Sequence, residues 1–207
     1  MLEVLIGAFV TLFVVIDPIG LGPIFIGLTG GMSEAEKRRT GTEASLVAFG
    51  VLTGSALVGS WLLTKLGISL AAFRIAGGLL LFTIAFEMAF DRRQKRKASD
   101  AAALERPSGV AAFPLGIPLM AGPGAITAVL LLAGRMNGDM LGLASLIGVV
   151  AVTIFGAWLV FRISAPLERL LGTSGEAVFA RLLGVLLAAL AVQYVADGIR
   201  ALAISFH

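Results

Sequence analysis

The stretch Asp17-Pro18-Ile19-Gly20-Leu21-Gly22-Pro23-Ile24-Phe25 sets a carboxylate beside two prolines and two glycines, inside an apolar run that begins at Leu2. Pro18 has no N–H and disfavours helical geometry at Asp17, Pro23 repeats the interruption, and Gly20 and Gly22 loosen the backbone. About 22 Å of helix separates Leu2 from Asp17 at roughly 1.5 Å per residue, so the acid lies at membrane depth if the run crosses a bilayer. An unpaired charge there costs at least about 2.5–3.5 kcal/mol. Asp17 must therefore be protonated, paired, capping a half-helix or facing water. A helix opened at this point offers free amides to a substrate carboxylate and free carbonyls to an ammonium group or a coupling ion. A kink with Asp17 as N-cap of the following segment is the purely structural reading, and the two are compatible.

A second stretch, Pro114-Leu115-Gly116-Ile117-Pro118-Leu119-Met120-Ala121-Gly122-Pro123-Gly124-Ala125-Ile126-Thr127, carries three prolines and three glycines. No regular helix accommodates that density, and Gly122-Pro123-Gly124 is expected to open the backbone near the midplane. Broken backbone is not viable against lipid, so both interruptions must be sheltered by protein or line a wet cavity. Thr127, one turn past the second break, offers a hydroxyl to a ligand or back to its own helix. Gln193 is a deep polar residue suited to bonding across helices or lining a path. Glu87 and Asp197 sit near span ends, where the side chain reaches polar surroundings cheaply. Gly54, Gly59, Gly77, Gly78 and Gly184 suit close helix contacts.

The elements that must position these residues follow from hydropathy. The chain has 207 residues, 58% hydrophobic and 14% charged, where soluble domains average about 45–50% and about 25%. One soluble core cannot hide that much apolar surface, whereas lipid covers it directly. Six spans fit: roughly Leu2–Leu28, Glu43–Thr64, Ile68–Phe90, Gly109–Ala133, Met140–Phe161 and Val178–Ile204. The N-terminus lacks a basic region and a cleavage site, so it reads as the first span and not as a removable signal. Twelve of the sixteen Lys and Arg residues fall in the loops on one side, among them Lys37, Arg38, Arg39, Arg92, Arg93, Lys95, Arg96 and Lys97, while Lys65, Arg74, Arg135 and Arg200 fall on the other. The positive-inside tendency makes the basic side cytoplasmic and sends both termini outside. The segment 91–108 reads as a basic, mobile divider able to touch anionic lipid.

The chain also partly repeats itself. At an offset of 105 residues Asp17-Pro18 falls over Gly122-Pro123; at 106, Phe73, Gly78 and Glu87 fall over Phe179, Gly184 and Gln193. Three spans per half require the second half to enter from the opposite side. The expected fold is a single all-α membrane domain over 1–207 with six transmembrane helices. Two inverted three-helix repeats, 1–90 and 109–207, would flank the divider, with the first and fourth helices broken. Inverted repeats with matching interrupted helices point to a transporter site. The substrate-binding residues expected are Asp17, Pro18, Gly20, Gly22, Pro23, Gly122, Pro123, Gly124, Thr127 and Gln193.

Several chemistries are disfavoured. There is no cysteine, and the only histidine is His207, which removes thiolate and histidine catalysis and most zinc sites. No Gly-Lys-Ser/Thr or Gly-x-Ser-x-Gly signature occurs, so no cofactor is expected and coupling, to protons or sodium, would be secondary. Net charge +3 is absorbed by orientation and does not imply nucleic acid. The expected partners are the lipid bilayer and a small-molecule substrate; a homo-oligomer is compatible with the sequence. The alternatives are a channel or stress-linked membrane protein without a transport cycle, and a membrane-embedded hydrolase using Asp17 and Asp197, whose different depths count against a shared-proton dyad.

Three segments together resemble the MarC-related family of integral membrane proteins: Asp17-Pro18-Ile19-Gly20 with Pro23 and Phe25, Pro118-Leu119-Met120-Ala121-Gly122-Pro123-Gly124-Ala125-Ile126, and Phe73-Arg74-Ile75-Ala76-Gly77-Gly78. The likeness covers essentially the whole chain. It implies a bacterial inner-membrane protein whose two breaks form the substrate site. Some relatives are regarded as transporters of small neutral amino acids such as glycine and alanine; the family's antibiotic-resistance label does not establish drug efflux. Arg74 matches the family pattern.

Overall fold

A computed structural model describes residues 2–103, 115–136 and 139–205, leaving aside the side chains of 2, 100–103, 165–174, 176 and 205. Pro114 and His207 lie outside this set, as does the rest of the divider beyond residue 103. The regular elements among the described residues are all helical, in the order α1 (Leu2–Ile16), α2 (Pro18–Leu28), α3 (Glu34–Lys65), α4 (Leu70–Ala89), α5 (Arg93–Ala103), a short wide turn (Leu115–Met120), α6 (Pro123–Arg135), α7 (Met140–Arg162) and α8 (Ser164–Ser205). Local signals set the starts. Ser33 and Glu36 form a reciprocal capping box for α3, Ser69 caps α4, and Asp139 accepts from the amides of Leu141 and Gly142 at the head of α7, each satisfying amides that a helix leaves unpaired.

Five segments are long and apolar enough to cross a membrane: Glu3–Leu28 taken through its break, Glu34–Lys65, Leu70–Ala89, Met140–Arg162 and Ala177–Ile204. The expected fourth span is not one such helix. Its described part is the turn Leu115–Met120, wound with an Ala121 N–H donating to the Gly116 carbonyl at 2.9 Å, followed by α6 with only 13 residues. Ile117 is extended and the Ile117–Pro118 peptide is cis. The other expected spans match their helices, with α3 starting nearer the N-terminus and α8 running as one helix from Ser164.

Burial is distributed as lipid solvation demands. Leu46, Leu57, Trp61, Leu79, Phe86, Phe155, Leu182 and Val185 are exposed on the outer faces, while Ala, Gly and Thr are common inside. Large apolar side chains cost nothing against lipid, and small ones let backbones approach. The two interrupted segments are the most buried: over its most apolar stretch the Glu3–Leu28 span is 56% buried against 28% for each of the other four, and nine of the thirteen α6 residues are buried. Burial gives the first break the shelter that broken backbone requires, while Pro118 and Pro123 at the second are exposed.

The closest seam joins α4 and α8. A Cβ on Gly78 would lie 2.8 Å from the Ala191 carbonyl and 2.7 Å from Val195; one on Gly184 would lie 3.0 Å from the Ala85 carbonyl and 2.9 Å from the Ala89 amide.

The expectation of a mobile basic loop over 91–108 is corrected over its described part. Asp91, at φ 56, reverses the chain after α4, and residues from Arg93 onward form α5. Arg93 and Lys97, four residues apart and so on one face, are buried, while Lys95, Arg96, Ala98 and Ser99 face outward.

Candidate functional site

The first break is built by Asp17 and Pro18. Asp17 takes a left-handed conformation (φ 57, ψ 65) and its own N–H still closes the last turn of α1 on the Phe13 carbonyl. Pro18 occupies the first position of α2, where a missing N–H is harmless. The Gly20 amide, which in an unbroken helix would reach the Ile16 carbonyl, donates instead to Asp17 Oδ1 at 3.2 Å. The last carbonyls of α1 are therefore left over, and α5 supplies their donors. Arg93 Nη2 donates to the Val15 carbonyl and Lys97 Nζ to the Ile16 carbonyl at 3.2 Å. Cations at a helix C-terminus also meet the favourable end of its dipole.

Asp17 is the hub of this arrangement. Its Oδ2 accepts from Gln94 Nε2 at 3.0 Å and pairs with Lys97 Nζ at 3.4 Å. Asp17 is 4% exposed and Lys97 6%. Burial lowers the Lys97 pKa to about 8, the Asp17 carboxylate opposing that shift and the Arg93 guanidinium adding to it. Burial likewise pulls Arg93 below its usual value, with Asp17 opposing. Next along α5, Arg96 is paired with Glu87 at the end of α4.

The second break is built by Gly122 and Pro123. Gly122 precedes α6 and has no side chain to cap it, and Pro123 is the first helical residue. The amides of Gly124 and Ala125 have no acceptor within the helix. A Cβ on Gly124 would collide with Ile84 and come within 3.3 Å of Val15 Cγ1, so the α6 start lies against the last turn of α1.

A cavity of about 450 Å³ opens where these parts meet. Its walls are Val15 from α1, Leu80, Thr83 and Ile84 from α4, Arg93, Arg96 and Lys97 from α5, and Pro118, Leu119, Met120, Gly122, Pro123, Gly124 and Ala125 at the second break. Three cations and no carboxylate line it among the described residues.

Of the residues expected at the site, Gly122, Pro123 and Gly124 line this cavity, and Asp17 is joined to it through Lys97. Pro18, Gly20 and Gly22 are buried in α2: Gly20 lies against Gln94 and Gly22 against Val160 of α7. Pro23 is exposed, and α2 continues through it. Thr127 is buried with its methyl facing Gly77 of α4. Gln193 is not brought to the cavity. It is exposed and donates to Asp197 at 2.7 Å, which pairs with Arg135, about 18 Å along α6 from Pro123 at roughly 1.5 Å per residue. Asp17 and Asp197 thus belong to separate ion pairs. Arg74 lies on α4 with its Nε buried and unbonded. Sequence reasoning did not find Val15, Arg93, Gln94 or Lys97. The i, i+4 spacing of Arg93 and Lys97 was the available signal, masked by a run in which most neighbours are also charged or polar.

A family model described as MarC family integral membrane protein matches residues 2–203. Among curated proteins, a UPF0056 membrane protein of Aquifex aeolicus is 36% identical over 195 residues, covering 93% of this chain and 91% of its own length. One of Archaeoglobus fulgidus is 36% identical over 203 residues, covering 93% and 90%. UPF0056 membrane protein YhcE of Escherichia coli is 34% identical over 200 residues, covering 93% and 90%. No solved structure matches the chain.

Proposed function

This chain belongs to the MarC family of integral membrane proteins, and on that premise we propose that it is a secondary transporter of a small solute, with alanine and glycine as the first candidates. One observation carries the reading: a cavity opens where the end of α1, the second break and α5 meet, and the uncapped first turn of α6 and the buried Arg93 and Lys97 border it. Its volume of about 450 Å³ is in the lower part of the range for ligand pockets, which suits a small molecule. The reading assigns the chain no covalent chemistry.

The same reading includes six membrane crossings in two inverted halves, with the turn Leu115–Met120 and α6 acting together as the fourth. Two correspondences support it. Pro18 and Pro123, 105 residues apart, each open the second part of an interrupted segment. The offset of 106 residues that carries Gly78 onto Gly184 also carries Ala85 and Ala89 onto Ala191 and Val195. Gly78 meets Ala191 and Val195 while Gly184 meets Ala85 and Ala89, so exchanging the halves reproduces the contact, as a pseudo-two-fold axis requires. In this reading both termini lie outside the inner membrane, which the charge bias supports, and protons or sodium would couple the cycle.

The test is labelled alanine and glycine flux into liposomes holding the purified protein. Saturable uptake above that of empty liposomes is expected. Asp17→Asn, which takes the anion from a buried pair, and Gly124→Leu, which puts a branched side chain where even a Cβ meets Ile84, should each reduce it at least tenfold. Flux equal to that of empty liposomes for both solutes, under proton and sodium gradients, removes the proposal.

A further inference from the structure

We infer that Arg93 and the amino-terminal turn of α6 form an anion subsite that receives the carboxylate of the solute. The inference rests on the reading of the cavity as a solute site, and it adds the chemical group the cavity recognises. Arg93 is 6% exposed and lines the cavity. Among the described residues its Nη2 is bonded to the Val15 carbonyl, while Nε and Nη1 are buried without an acceptor. A guanidinium carries five N–H donors and no acceptor, so the unbonded nitrogens call for an oxygen anion. Gly124 and Ala125 line the same cavity, in the first turn of α6, which is uncapped because Gly122 has no side chain to offer. Uncapped amides and a helix dipole favour negative charge at the same place.

Charge bookkeeping around the cavity isolates Arg93 as the receiver. Lys97 is balanced by Asp17 and Arg96 by Glu87, while no ion pair holds Arg93 among the described residues. The α1 carbonyls that could have held a ligand's ammonium are already taken by Arg93 and Lys97. Recognition therefore falls on the anionic end of the solute. A carboxylate suits the space, one oxygen for the guanidinium and the other for the α6 amides.

The experiment measures binding by calorimetry and thermal shift on the purified full chain with L-alanine, with propionate, which lacks the ammonium, and with alaninamide, which lacks the carboxylate. Alanine and propionate should bind and alaninamide should not. Arg93→Gln should weaken both carboxylates at least tenfold, Arg93→Lys less, and Lys65→Gln, an exposed charge at the end of α3, not at all. If Arg93→Gln does not yield a monodisperse protein, Gly124→Leu closes the subsite from the α6 side and must produce the same loss. Equal binding of alanine and alaninamide, tighter binding of phosphate or chloride than of propionate, no binding by either carboxylate, or wild-type affinity in a folded Arg93→Gln overturns the subsite. Carboxylate binding without liposome flux leaves the subsite and removes transport; saturable alanine flux unchanged by Arg93→Gln leaves transport and removes the subsite.

Discussion

Lys97 is an ammonium group held inside protein against one carboxylate and one backbone carbonyl. The Asp17 carboxylate offsets only part of the cost of burying that ammonium. The pair's value is therefore geometric: it fixes α5 over the end of α1. Its titration gives a pH prediction. The folded chain releases the Lys97 proton near pH 8, against 10.5 for an ordinary lysine. Between those values the unfolded chain holds more protons, so stability rises with pH across the window. Below about pH 8 both states are protonated and the cost of the buried charge is fully present. Relief over the whole window amounts to about 3 kcal/mol. Thermal midpoints in detergent should rise for the wild type relative to Lys97→Gln from about pH 8 upward. A difference between the two proteins that stays constant with pH would contradict the buried, depressed lysine.

At the scale of elements, the α4–α8 seam and the exposed side of α7 make opposite predictions for the same change. Gly78 approaches a backbone carbonyl that cannot yield, the Ala191 oxygen at 2.8 Å from an added Cβ. Gly78→Ala should cost about 1–3 kcal/mol by overpacking. Gly184→Ala should cost as much, because its neighbours are the equivalent backbone groups of α4. Gly148 on α7 has nothing within 4 Å of an added Cβ, so Gly148→Ala should be neutral or gain up to about 1 kcal/mol from reduced backbone freedom in the unfolded chain. Unfolding in a denaturant series orders the three; a stabilised Gly78→Ala would mean that the seam is looser than described.

For the whole molecule, orientation is the measurable property. Wild type contains no cysteine, so single cysteines can be read without background. Lys65→Cys, at the end of α3, should react with a membrane-impermeant maleimide in intact spheroplasts. Arg39→Cys, exposed near the other end of the same helix, should react only after the membrane is opened. The reverse pattern would turn the protein over in the membrane and place both termini inside.

Hydropathy and proline positions were enough to read the membrane-crossing character, the helix boundaries to within a few residues for α4 and α7, and both breaks, because these depend on local chain chemistry. Pro18 and Pro123 lack an amide wherever they sit, and an apolar run of membrane length needs lipid in any fold. The role of α5 was out of reach for the complementary reason. A segment such as Arg93-Gln94-Lys95-Arg96-Lys97 has no apolar period to show which face is inward, and charge alone reads as solvated. That face is chosen by partners some 80 positions away in the chain, the Asp17 carboxylate and the orphan carbonyls of Val15 and Ile16. Gln193 shows the converse: its depth in a span was legible, but which side of the helix meets protein is settled only by packing, and packing left it exposed, bonded to Asp197 one turn along the same helix.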